Sequence, residues 1–263
     1  MISINTLRSF DEIINLKSEY IKSLTGPQEA WLEEQAWNHS IYEICFNKQR
    51  IGYFCADSSC RMLLQFYVSD NHIRESQEIF PFLISNNYFK KAYVTTRDTL
   101  TLSLCLDCQK KILLEAYLFQ DNKKVKMELK DFENTCFGPA TESDMENIND
   151  VFGDFFGNLE EVKKRYSEPN NELFVLYSDK VLLGAGCVES KYCSLGSANI
   201  GIFVNEDFRR RQIGSYIVTK LKEYCYSNDL VPIAACYHAN NASKKTLEKA
   251  GFVTKDRTII VEF

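Results

Sequence analysis

The chain has 263 residues, of which 45% are hydrophobic and 25% charged, proportions that exclude a disordered or collagen-like chain. Lys+Arg is 31 against Asp+Glu 36, a net charge of −5, whereas a nucleic-acid-binding domain is ordinarily basic. No apolar run approaches the roughly 18 residues of a membrane span, and the N-terminal stretch MISINTLRSFDEI lacks the basic-then-apolar pattern of an export leader. The expectation is a cytoplasmic protein with neither nucleic acid nor membrane as partner.

In chain order, the first half offers a hairpin over 42–54, an apolar strand over 63–68 and another at 92–98. Ten cysteines are present, and Cys105 and Cys108 form a lone C-x-x-C pair with Cys55 and Cys60 earlier in the chain. A zinc site needs four ligands, and no second pair completes the set. Reduced thiols packed as small hydrophobes are expected, and no metal. Residues 125–129 alternate as a last strand, and 135–139 read as a new first strand.

The second half repeats the first. A hairpin over 174–186 matches 42–54, with Gly184 where Gly52 stood, an offset of 132. Residues 199–204 parallel 63–68 at an offset of 136, and 233–239 parallel 92–98 at 141. Growing offsets are what loop insertions in the second copy produce. The boundary falls near 131, giving domains 1–131 and 132–263. Residues 141–152 read as an amphipathic helix capped by Thr141 or Ser143, and strands follow at 173–178, 181–189 and 197–204. Ile213, Ile217, Leu221 and Cys225 then recur every four residues, so a helix runs to about 227. A strand at 231–237, a helix over 243–250 ending at Gly251 and a β-branched strand at 258–263 close the chain. This order describes an α/β fold, a mixed sheet with helices on both faces.

The segment 204–216 joins a strand to the start of the long helix. A helix N-terminus presents unpaired N–H groups and partial positive charge, and so takes up phosphate. Arg209, Arg210 and Arg211 add forked cationic donors suited to a pyrophosphate, and Gly214 permits close backbone approach. Arginines alone describe a solvated basic turn; the strand before and the helix after favour an anion site.

This segment resembles the acyl-CoA signature of the GNAT acetyltransferase superfamily, Q/R-x-x-G-x-G/A. Arg209 stands at the first position and Gly214 at the last, while Gln212 replaces the first glycine. Residues 240–252 look like the superfamily's N-x-x-A/S-x-x-x-Y-x-K-x-G-F helix: Asn240, Ser243, Lys249, Gly251 and Phe252 match, and Leu247 replaces the tyrosine. The resemblance covers 135–263. The first half shares only the hairpin pattern, and its loop at 69–78 has no glycine and one arginine, Arg74. It therefore reads as a degenerate copy that binds no CoA, in tandem with a GNAT-like domain.

The resemblance implies transfer of an acetyl group from acetyl-CoA directly to a primary amine of a small molecule or peptide. It places the acetyl and pantetheine portions against backbone groups of Ile202, Phe203 and Val204, and the pyrophosphate against Arg209, Arg210, Arg211, Gln212, Ile213, Gly214 and Ser215. Asn240 and Ser243 border the pantetheine arm. An alkyl ammonium must lose its proton before attack; Glu189 is the candidate base, or else a solvated turn carboxylate. Tyr237 and His238 are candidate proton relays, the histidine alternatively a partly buried structural imidazole. Glu172, Glu189 and Asp154 near the cleft suit a cationic acceptor. The alternative is an inactive CoA-binding sensor or interaction module, suggested by Gln212 and Leu247. A monomer or a homodimer fits either.

Overall fold

The computed structural model describes residues 1–153, 158–194 and 196–263; Asp154, expected near the cleft, lies outside them. The chain forms two compact units, one of residues 1–117 with 256–263 and one of residues 118–255. The boundary expected near 131 falls in the irregular segment 122–134.

The first unit contains β1 (Ile2–Leu7), α1 (Ile14–Ser23), α2 (Ala30–Asn38), β2 (Ser40–Phe46), β3 (Gln49–Asp57), β4 (Met62–Val68), α3 (Ser76–Ser85), β5 (Lys91–Thr95) and α4 (Thr99–Cys108). β6 (Lys111–Asp121) begins in this unit and ends in the second. The last strand of the chain, β12 (Phe252–Glu262), pairs its residues 258–262 antiparallel with β5. Strand order is β1-β2-β3-β4-β5-β12. Adjacent residues of β3 and β4 feed two cores, Phe54 and Phe66 one, Tyr53 and Tyr67 the other. Both faces are covered, which explains near-continuous apolar strands in place of strict alternation.

The core containing Tyr53 and Tyr67 also encloses charge. Lys17 Nζ lies 2.5 Å from Glu33 and donates to Gln65 Oε1 at 2.8 Å. The Gln65 amide and the Trp37 indole in turn donate to the Glu33 carboxylate. Burial pushes the Lys17 ammonium down, against the pull of Glu33. A buried charge of this kind requires just such a paired and hydrogen-bonded setting.

The second unit contains β7 (Thr135–Pro139), α5 (Asp144–Phe152), α6 (Leu159–Ser167), β8 (Asn171–Ser178), β9 (Val181–Glu189), β10 (Ser197–Val204), α7 (Ile213–Ser227), β11 (Val231–Tyr237) and α8 (Asn241–Lys249). Its strand order is β11-β10-β9-β8-β7, with β10 and β11 parallel. The stripe Ile213, Ile217, Leu221 and Cys225 of α7 is wholly buried. Gly184 and Gly186 let that helix settle on β9, since a Cβ at Gly184 would stand 2.7 Å from Ile217 Cδ1. After α8 the chain turns at Gly251 with φ +91°, where a side chain would meet the Lys123 carbonyl; only glycine suits both demands.

The duplication seen in the sequence holds in the strand ladders. Gly52 pairs with Val68 as Gly184 pairs with Val204. The match slips at Leu64, which has no partner because Cys55 faces Gln65 and Ala56 faces Leu63, a β-bulge. Elsewhere one expectation fails. Residues 125–129 are not a strand: Asn122 and Lys123 donate to the Gly251 carbonyl and Lys222 Nζ binds the Lys123 carbonyl, a turn-like set of partners rather than a ladder. The helix expected with Thr141 or Ser143 at its cap begins at Asp144, after Ser143, whose side chain makes no capping bond; the Asp144 carboxylate accepts from the Thr141 N–H and hydroxyl. No helix among the described residues is long and apolar enough to cross a membrane. The ten cysteines are free, five of them buried.

Candidate functional site

β10 and β11 pair only at Ser197–Val231, Ala198–Pro232 and Asn199–Ile233. Beyond Asn199 the strands part, while β10 stays bonded to β9 as far as Val204. Backbone groups of Ile202, Phe203 and Val204 on the β11 side therefore lack a ladder partner in that strand. All three residues are half-buried, and Phe203 packs on Phe152 with ring centroids 4.5 Å apart.

From Val204 the chain enters a 3-10 turn at Glu206–Phe208, started by Asn205, whose side chain accepts from the Asp207 N–H. Arg210 (φ +66°) and Gln212 (φ +67°) then adopt left-handed backbone. Gln212 is the residue that replaces a glycine, and it occupies the conformation glycine favours, at a cost of about 1–2 kcal/mol. Its side chain compensates, accepting from Lys249 Nζ of α8 at 3.1 Å. It does not cap α7. The Tyr216 N–H is bonded to the Gln212 carbonyl, so Ile213, Gly214 and Ser215 present the N–H groups that precede the first helical bond.

The absent side chain of Gly214 serves packing. A Cβ there would stand 3.0 Å from Thr246 Cγ2 and 3.2 Å from Ile202 Cδ1. The missing side chain thus lets α7 pack against α8 and β10. Ser215 is buried, and its hydroxyl donates to the Thr246 carbonyl. Of these residues, the backbones rather than the side chains are presented to the loop.

The three arginines diverge. Arg209 folds back, with Nε donating to the Val204 carbonyl at 3.3 Å and its head paired with Glu206 at 2.8 Å. Arg211 lies over the rings of Phe132 and Phe208 at 5.9 and 5.8 Å. Among the described residues, no carboxylate pairs with Arg210 or Arg211. Glu206, Phe132 and Phe208 were not singled out by sequence reasoning, and Lys249 was noted only as a match to the helix motif. Glu206 and Lys249 lie in or beside the motifs, whereas nothing in the sequence ties Phe132 to the loop.

The candidate catalytic groups are not gathered together. Glu189 pairs across the ladder with Asn199, at the joined end of the β10–β11 wedge. Its carboxylate accepts from Tyr166 Oη at 3.1 Å and pairs with Arg165 at 3.3 Å, so it is not a solvated turn carboxylate. Burial pushes the Tyr166 hydroxyl far above the usual phenol range, with Cys187 and Glu189 adding to the shift. Tyr237 ends β11 with 68% of its surface exposed. His238 is exposed as well, which corrects the partly buried alternative, because the turn after β11 carries it past the sheet. Leu247 is 3% exposed and fills the core under α8 in place of the family's tyrosine. Asn240 caps α8 by accepting from the Ser243 N–H at 3.0 Å, which engages its carbonyl oxygen.

A parallel pair thus opens beside an uncapped helix and two arginines that pair with no carboxylate among the described residues, and the fold that carries this arrangement is that of an acetyltransferase. The chain belongs to the GNAT acetyltransferase family and holds two of its domains in tandem: residues 9–122 match the Acetyltransferase (GNAT) domain model, and residues 128–252 match that of the Acetyltransferase (GNAT) family. The first of these lies in the half where the sequence shows only a hairpin pattern. Among solved structures, a GNAT-family acetyltransferase from Colwellia psychrerythraea superposes with a TM-score of 0.87 at 23% identity, covering 99% of both chains. A tandem GNAT protein from the clavulanic acid biosynthesis pathway gives 0.66 at 11% identity, covering 99% of this chain and 97% of that one. A GCN5-related N-acetyltransferase from Sphaerobacter thermophilus gives 0.65 at 11% identity, covering 98% and 94%. These likenesses are of fold. No curated protein matches the chain in sequence.

Proposed function

We propose that the second unit binds acetyl-CoA and transfers its acetyl group to a primary amine of a small molecule or peptide. The observation that carries this reading is the parting of β10 from β11 beyond Asn199, from which the chain runs through the 3-10 turn to the first turn of α7, whose N-cap side chain makes no capping bond. The N–H groups of Ile213, Gly214 and Ser215 suit a pyrophosphate, and Arg210 and Arg211 supply charge that no carboxylate among the described residues offsets. Acetyl-CoA would supply an activated thioester, attacked directly by the amine with release of the thiol. Backbone N–H groups of β10 beyond its last bond to β11 would meet the charge that grows on the thioester oxygen.

Tyr237 and His238, exposed at the far end of β11, are read as relays for the proton that the incoming ammonium loses. Glu189 has Arg165 and Tyr166 as partners and fits better as a residue that orders the joined end of the wedge. The buried Leu247 can donate no proton. A departing thiolate has a conjugate pKa near 8.5, so loss of that acid is tolerable. The first unit is read as binding no CoA, since the α3 first turn carries Glu78 and the loop before it holds only Arg74.

Calorimetric titration of the full chain with acetyl-CoA tests the assignment. One site per chain is expected. Gln212→Glu should abolish that site while leaving stability intact or slightly raised, because a carboxylate at a helix N-terminus repels phosphate yet suits the helix dipole. Two sites would place a second cofactor in the first unit, and no binding would favour an inactive interaction module.

A further inference from the structure

Residues that face one another across β8, β9 and β10 form lateral rows whose side chains share one face. Val175, Ala185 and Phe203 make one row, and Leu173, Cys187 and Gly201 the next. Their apolar members pack with Ile148, Phe152 and Val162 of α5 and α6. One row further on, the same face turns wholly polar, with Asn171, Glu189 and Asn199 side by side. Asn199 is also the last residue at which β10 pairs with β11, so this row lies at the apex of the wedge.

Each member of the row keeps an open hydrogen-bonding site. The Asn171 amide nitrogen donates to the Arg165 carbonyl at 3.1 Å, which fixes the orientation of the group. Its Oδ1 is buried and has no partner, in a residue only 8% exposed. Tyr166 and Arg165 both bond Glu189 through Oε1, and Oε2 has no partner among the described residues. The half-buried Asn199 amide makes no hydrogen bond among them either. A buried carbonyl oxygen left unpaired is costly, and such groups call for a partner.

Charge and donor count define that partner. A primary ammonium offers three N–H donors and no acceptor, the complement of oxygen acceptors grouped around one carboxylate. The Arg165 side chain that shares Glu189 is 44% exposed, so solvent screens its charge. Such a seat stabilises the protonated amine, whereas the amine that attacks a thioester must first be neutral. We propose that the row Asn171, Glu189 and Asn199 holds a second, non-reacting ammonium of the substrate, so that the second unit acetylates diamines. One amino group is anchored on the row while the other reaches the β10 backbone beyond Asn199. The reacting nitrogen forms the C–N bond and the C–S bond breaks; of the two protons that this nitrogen gives up, one ends on the coenzyme A sulfur and one in solvent. This rests on the acetyl-CoA reading of the second unit and narrows the amine that reading leaves open.

The test is steady-state acetylation by the full chain of α,ω-diaminoalkanes of three to six carbons and of amino alcohols of the same lengths. The alcohols keep the reacting amine and lose the second charge. The best diamine should exceed its amino alcohol in kcat/KM by about tenfold or more, the scale of one charge-assisted contact, with the difference in KM. Glu189→Gln should raise the KM of the diamine to that of the alcohol, with acetyl-CoA affinity by calorimetry as in the wild type. Asn199→Asp adds a carboxylate to the row and should widen the preference, a gain that a folding defect cannot mimic. Equal kcat/KM for diamine and alcohol in the wild type would overturn the proposal, as would transfer to neither by a protein that binds acetyl-CoA. So would an undiminished preference in Glu189→Gln, or an equal fall for both substrates, which would assign Glu189 to the chemistry they share. A wild-type protein that fails to bind acetyl-CoA refutes the underlying reading and the proposal with it, a result distinct from any outcome of the amine panel.

Discussion

The clearest lesson lies in two equivalent strand ends, β4 in the first unit and β10 in the second. Each is bonded antiparallel to a strand whose glycine faces its last valine, Gly52 to Val68 and Gly184 to Val204. Each has a parallel neighbour only over its first residues, Met62 and Leu63 with β5, Ser197 to Asn199 with β11. Each neighbour leads into a helix capped alike, by Asp98 accepting from the Thr101 N–H and by Asn240 accepting from the Ser243 N–H. The side chains then diverge. In the first unit the Thr101 hydroxyl reaches across to the Phe66 carbonyl of β4 at 3.2 Å, so the opened edge is met from within. Gln65, tied to Lys17 and Glu33, stands across from Cys55 as Gly201 stands across from Cys187. One architecture thus supports either a filled, hydrogen-bonded interior or an open edge, depending on a handful of residues.

Breaking the filled interior should have the largest effect. Glu33→Ala leaves the Lys17 ammonium buried without its carboxylate, and the first unit should lose about 3–5 kcal/mol, measured by urea denaturation. If the two units differ as described, acetyl-CoA affinity of the protein that remains folded should be unchanged. A loss below about 1 kcal/mol would mean that Lys17 is neutral or hydrated.

The capping residues sharpen the comparison through pH. Burial raises the Asp98 carboxyl to about 6, against hydrogen bonds from the Thr101 N–H and hydroxyl and from Tyr20 that favour the anion. Its folded value lies above the unfolded one, so its contribution is fully present below about pH 4 and is lost as pH rises through about 6. The stability difference between wild type and Asp98→Asn should therefore change across this window, with the wild type gaining on acidification. Asn240, the equivalent cap, carries no titratable group, and Asn240→Ser should show no such window. A flat difference for Asp98→Asn would exclude a raised carboxyl.

The smallest effect concerns the loop. Gln212→Gly removes a left-handed non-glycine residue but also the bond to Lys249 and some rigidity of the unfolded chain. A net gain of about 0.5–1 kcal/mol is expected, raising Tm by roughly 1–4 °C. A fall in Tm would show that the tie to α8 outweighs the backbone cost.

Much of the second unit was legible before any coordinates. β9, β10, β11 and the end of α7 follow from apolar periodicity, a property of local chain geometry, and the Gly52–Gly184 equivalence survives in the ladders. The strand expected at 125–129 failed because alternation alone cannot say whether a ladder partner exists. β12 was read as starting at 258 because its first half, with Lys255, Asp256 and Arg257, looks polar; in the structure Asp256 pairs with the buried Arg97 at 2.9 Å, a residue 159 positions away.

At the site, the sequence by itself determined where the strand, turn and helix N-terminus fall, because backbone spacing and motif order are local. Only the tertiary structure decided what each group faces. Gly214 serves packing against Thr246 and Ile202, Glu189 is engaged by Arg165 and Tyr166, and one arginine of three is held by rings from two separate segments. Such partners come from residues distant in the chain, whose approach depends on the packed fold rather than on any pattern within a single stretch.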